Sequence, residues 1–252
     1  MRQPLLVISL FISFLLCGNL HAFGKEPEPY YPLKEGMTWE YQVMFHTRNE
    51  LLRAQGADKV DKSDTKKLTV TNLASQEIDG KKVTPRKYDF SAFHFFYYLF
   101  QEDNGIFIIA TQPPNSEEKK ILNPPELLMK IPVLAGVAWE GNFKGGWNSN
   151  LNIKLNKVID RGDEVVTVAG RSFDNCIRIK GEGEAKDTYK DPADKSGKEQ
   201  KLIISVETND WYAPGVGWVK EVTRELVKKE TGKQELIFSR KIISQLESFK
   251  EK

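Results

Sequence analysis

The sequence predicts an all-β protein: a curved antiparallel meander sheet or open half-barrel, with at most one or two short helices. Three observations carry this expectation. Alternating stretches such as Trp39, Tyr41, Val43 and Phe45 against Thr38, Glu40 and Gln42 recur at short intervals, with the period of half-buried strands. The turns between them are short and rich in glycine, proline and aspartate, whereas parallel pairing needs long crossovers. Finally, the stretch from Asp210 to Glu221 packs Trp211, Tyr212, Pro214, Gly215, Gly217 and Trp218 into one reversal. There Pro214 fixes its own φ and the glycines can take positive φ, so two strands can meet around an aromatic brace.

Taken in order, residues 1–22 read as a signal peptide. Arg2 is followed by an apolar run from Leu5 to Leu16, and Ala22 offers a small residue for cleavage. The run is shorter than the roughly 20 residues of a membrane span. Lipidation at Cys17 is the alternative, but that chemistry wants a small residue before the cysteine, and Leu16 stands there. Residues 23–252 are predicted to be a single β-rich domain built from two sheet segments, roughly 23–122 and 123–252. No further stretch is long and apolar enough to span a bilayer.

The first strand starts at Trp39. Residues 51–67 end in a lysine- and aspartate-rich tract with the look of a solvated loop. Leu68 to Leu73 and Val83 to Phe90 suit a hairpin, with Asp79-Gly80 at the turn. Phe90 to Phe100 is the most apolar part of the mature chain. As a strand it sets Phe93, Phe95, Tyr97 and Leu99 on one face and His94, Phe96, Tyr98 and Phe100 on the other. It reads either as a central strand covered on both sides or as a wall whose one face lines a space for an apolar ligand. On the second reading Phe93, Phe95, Phe96, Tyr97, Tyr98 and Phe100 are the candidate ligand-binding residues. Asp103-Asn104-Gly105 then turns into a strand from Ile106.

Asn123-Pro124-Pro125-Glu126 suggests a brief helix start, with Asn123 as cap and the prolines in the first turn. A repeat follows. Pro132, Val133, Gly136, Trp139 and Glu140 reproduce Pro32, Leu33, Gly36, Trp39 and Glu40 at a constant offset of 100 residues. It reads as a duplicated way of starting a sheet segment, with the tryptophan as first inward anchor. Strands are expected at 151–159, 165–169, 176–180, 201–212, 218–226 and 234–243, with residues 230–233 as a turn. Residues 181–200 read as an exposed, mobile loop.

Three motif groups resemble a family. Tyr31-Pro32-Leu33 with Gly36, Trp39 and Tyr41 comes first, then Val168-Ala169-Gly170 with Phe173, Cys176-Ile177 and Ile179. Trp211 to Lys220, with its central Tyr212-Ala213-Pro214-Gly215-Val216-Gly217, completes the set. In this order they resemble the uncharacterised exported bacterial proteins grouped around the domain of unknown function numbered 3108. The resemblance spans most of the mature chain. It implies a curved antiparallel sheet similar to the half-barrels of lipoprotein carriers, and it brings no catalytic residues with it.

Composition excludes more than it selects. With 37 basic against 35 acidic residues, no field for nucleic acid arises, and aromatics do not interleave with the lysines. After leader removal Cys176 is the remaining cysteine, so no disulfide framework is expected. His46 and His94 lack metal-site spacing, and His94 reads as a packed residue. Neither a nucleophile elbow nor a phosphate loop is present; Cys176, beside Ile177, reads as a small buried hydrophobe. The expected protein is therefore exported, periplasmic or secreted, not an enzyme, and free of cofactor and metal. It binds an apolar or lipid-like ligand on the concave face of its sheet. The alternative is a structural or assembly component of an envelope complex, meeting another envelope protein.

Overall fold

In a computed structural model of the chain, described at residues 29–54, 56, 60–190, 197–230 and 235–251, the two copies of the repeated motif each open a meander. The first meander runs through β1 (Thr38–Asn49), β2 (Asp61–Asn72), β3 (Gln76–Ile78), β4 (Lys81–Asp89), β5 (His94–Glu102), β6 (Gly105–Gln112) and β7 (Lys120–Lys130). A short helix, α1 (Glu50–Ala54), follows β1. The second comprises β8 (Ala138–Lys144), β9 (Asn152–Val168), β10 (Arg171–Lys190), β11 (Glu199–Ala213), β12 (Gly217–Lys229) and β13 (Leu236–Lys250). The protein is all-β, and every pairing is antiparallel. The predicted leader lies outside the described residues, as does most of the turn predicted at 230–233.

The meanders join through their first and last strands. The sheet order is β7-β6-β5-β4-β2-β1-β13-β12-β11-β10-β9-β8, with β3 attached to β4 alone. Curvature brings the two ends together, where Lys130 Nζ on β7 donates to Ala138 O on β8 at 3.3 Å. The result is a nearly closed barrel.

The repeat is structural as well as sequential. Gly36 N donates to Asn72 O at 3.0 Å, and Asn72 N returns a bond to Met37 O at 3.0 Å. One hundred residues on, Gly136 N donates to Ile159 O at 2.8 Å, and Ile159 N to Val137 O at 2.9 Å. Both glycines hold positive φ, 81° and 84°, which a side chain would disfavour. Both tryptophans are buried. They differ in one respect: Trp39 Nε1 donates to Val216 O at 2.7 Å, whereas Trp139 Nε1 has no partner among the described residues.

The structure corrects four local expectations. Residues 123–126 do not start a helix but lie within β7. Its register slips between Ile108 and Ala110 of the neighbouring strand, so the prolines occupy a bulge on a terminal strand, where a missing N–H is tolerated. Residues 61–67 are not a loop; they extend β2 along β1, from Arg48↔Asp61 to Gln42↔Lys67. Their side chains are exposed, so charge there reports solvation and not irregular backbone. Residues 181–190 and 199–200 likewise prolong β10 and β11 into one ladder. Gly183 has a physical reason: a Cβ there would stand 2.2 Å from Lys154 O. Lastly, His94 is exposed, edge-on to Phe96 at 5.5 Å, instead of packed.

Beyond the middle of the barrel, toward the far ends of β11 and β12, Leu202, Ile204 and Val227 pack with Ile153, Leu155 and Phe238 into a buried hydrophobic cluster. The loop before β9 folds against this end. Its Gly146 and Trp147 amides donate to the Glu225 carboxylate at 2.9–3.1 Å, and Arg240 Nη2 pairs with that carboxylate at 3.2 Å.

Candidate functional site

The other half of the barrel is not filled. A cavity of about 370 Å3 lies between the first meander and the β11–β12 hairpin. Period-2 alternation puts its wall residues in place. Trp39, Tyr41, Val43 and Phe45 come from β1, Leu68 and Val70 from β2, Tyr88 from β4, and Phe95 and Tyr97 from β5. Tyr212 on β11, Trp218 on β12 and Ile242 on β13 face them. The rings brace one another: Tyr88 stacks on Phe95 at 4.9 Å, and Tyr41 meets Trp218 at 4.5 Å. Tyr41 Oη also donates to Trp218 O at 2.7 Å, so β1 and the aromatic turn hold each other across the interior.

The six sequence candidates divide between two faces. Phe95 and Tyr97 line the cavity. Phe93 sits in the loop before β5, stacked on the cavity-lining Phe90 at 5.2 Å. Phe96, Tyr98 and Phe100 lie on the outer face, in a separate cluster with Ile78, Val83 and Ile109. Tyr41, Tyr88, Tyr212 and Trp218 were not among the candidates. Their alternation was visible on each strand, but which strands face one another is a matter of closure.

Three charged groups reach this space. Arg86 is buried against Tyr31 and Trp39, with its Cζ 4.2 Å and 4.9 Å from the ring centroids. Its Nε donates to Asn72 Oδ1 at 2.8 Å and its Nη2 to Pro32 O at 2.7 Å. It thereby fastens the lead-in of the chain to β2 and β4. Asp210 and Glu221 are direct cross-strand neighbours. A register slip beside them, between Trp211↔Lys220 and Tyr212↔Trp218, leaves one extra residue on β12. That bulge lets Trp218 and Glu221 both point inward, although they are an odd three positions apart. A carboxylate two residues before an inward tyrosine was the readable signal for Asp210.

Glu221 accepts from Thr223 Oγ1 at 2.8 Å and Ser244 Oγ at 3.0 Å. Asp210 has neither a hydrogen bond nor an ion pair with any described residue. Burial, reinforced by the Glu221 charge and opposed by Lys157, pushes Asp210 up to about 7. Burial also raises Glu221, against the hydroxyls of Thr223 and Ser244. The wall phenols stay protonated, because burial holds Tyr41, Tyr88 and Tyr212 well above 10 and Tyr97 at about 12.

These shifts have a stability consequence. The folded chain keeps the Asp210 proton to about pH 7, while the unfolded chain loses it near the ordinary aspartate value of 3.8. Folding thus binds a proton in that window, so stability falls as pH rises from about 4 to about 7 and then levels. Glu221 acts in the same direction. Across this range the urea midpoint of the parent should fall relative to that of Asp210→Asn. Equal slopes for the two proteins would contradict the assignment.

Cys176 is fully buried and its thiol donates to Phe173 O at 3.3 Å. Burial pushes it up to about 11, which leaves little thiolate at neutral pH. Among the described residues no helix is long and apolar enough to cross a membrane.

No protein-family model and no curated protein matches the chain. A solved structure described as a lipoprotein from Parabacteroides distasonis ATCC 8503 is similar over 88% of this chain and 99% of its own. Its identity is 11% and its TM-score 0.35. An exported protein with a YmcC-like fold from Bacteroides fragilis NCTC 9343 is similar over 89% of this chain and all of its own, at 17% identity and TM-score 0.36. At this distance neither likeness carries residues or roles across.

Proposed function

We propose that the chain is an exported protein of the bacterial envelope, periplasmic or secreted, that binds an apolar or amphipathic ligand inside its barrel and catalyses no reaction. The observation that carries the reading is the cavity itself. Its volume of about 370 Å3 falls at the lower end of small-molecule sites, about 300–1,000 Å3, and half of its lining residues are aromatic. The leader-like residues 1–22 support export.

The test compares Phe95→Ser, on the cavity wall, with Phe96→Ser, on the outer face, by thermal unfolding and by titration of an apolar fluorescent probe. Phe95→Ser should stay folded and lose most probe binding. Phe96→Ser should keep the probe and pay only in melting temperature. Failure of the parent to saturate, or equal probe affinities in both variants, would count against a ligand site. A second reading, an assembly component that meets another envelope protein, is favoured by a different feature. The sheet ends at β7 and β8 without a ladder between them, which leaves two strand edges available for pairing.

A further inference from the structure

The polar end of the cavity is unbalanced. Asp210 and Glu221 stand opposite each other on adjacent strands, an arrangement that is unfavourable for like charges. Glu221 is satisfied by two hydroxyls; Asp210 lines the cavity with its acceptors unused among the described residues. The surrounding cations do not meet this need. Arg240 is engaged by Glu225. Arg86 is stacked between two rings and bonded to Asn72 and Pro32. Lys157, inward on β9, acts on both carboxylates through space but forms no ion pair with either. The rings of Tyr41, Tyr97, Tyr212 and Trp218 line the same cavity, and an aromatic wall is a better neighbour for a cation than for an anion.

We infer that the cavity takes an amphiphile whose buried end is a protonated amine, donated to Asp210, with its chain along the aromatic wall. This rests on the ligand-binding reading above and narrows it. An anionic head would place a third negative charge beside the pair. A neutral chain would cover the half-buried Asp210 carboxylate without supplying a donor, which is costly. An ammonium supplies donors and opposite charge together, in a space where a charge-assisted bond is strong.

The experiment titrates the full mature chain at pH 8 with decylammonium, decanol and decanoate, each below its micellar concentration, by calorimetry. Decylammonium should bind about tenfold or more tighter than decanol, the scale of one buried charge-assisted hydrogen bond, and decanoate should bind weakest. In Asp210→Asn the preference for decylammonium over decanol should shrink to about twofold or less, because the one carboxylate with unused acceptors is gone and Glu221 is already held by two hydroxyls. If decanol or decanoate binds as well as decylammonium, or the preference survives in Asp210→Asn, the amine inference falls while the carrier reading stands. If none of the three binds, both fall.

Discussion

Truncating Trp39 to alanine is expected to cost about 3–5 kcal/mol, the range for large aromatic deletions in cores. The side chain is 2% exposed, packs under the Arg86 guanidinium at 4.9 Å, and bonds through Nε1 to Val216 O in the aromatic turn. Its loss opens the cavity wall and orphans a carbonyl. Trp139→Ala removes a similar ring, 8% exposed, but one whose indole N–H has no partner among the described residues. Its cost should therefore fall toward the lower end of that range. Urea unfolding of both variants measures the pair. Losses below about 1 kcal/mol for both would mean that the repeated tryptophans do not anchor the two meanders.

The second large effect is expected at Glu225, which is fully buried. Replacing it with alanine takes the ion pair from the half-buried Arg240 and strips the acceptor from the Gly146 and Trp147 amides. Breaking one side of a buried pair costs about 3–5 kcal/mol. Removing both charges, as Glu225→Leu with Arg240→Met, should recover part of that loss, because the uncompensated cation is gone. A single variant as stable as the parent would show that the loop before β9 does not depend on this carboxylate. Fluorescence of Trp147, which packs on Phe238 at 5.6 Å, reports whether the loop has detached.

These two sites differ in how far the sequence reveals them. Trp39 and Trp139 stand out because a spaced pattern occurs twice, and each opens a meander. Glu225 looks like one of many charges on an alternating strand. Its importance arises from a loop of glycines some 80 positions earlier in the chain.

The same division runs through the whole molecule. Alternation, turn chemistry and the repeated tryptophan motif determine the all-β class, the inward aromatic face of β1 and the split of β5 into two faces. These follow from period 2 and from residues that cap or turn a strand, both local properties. Strand length did not follow. Residues 61–67 and 181–190 look like loops because their charges are solvated, yet pairing with a neighbour already in place supplies their backbone bonds. Only the tertiary structure decided that β1 pairs with β13, which curls two meanders into one barrel and turns separate aromatic stripes into a cavity. Only the register of β11 against β12 decided that Glu221 joins Asp210 inside. One bulged residue reverses which face a side chain takes, and no local preference in the sequence fixes where that extra residue goes.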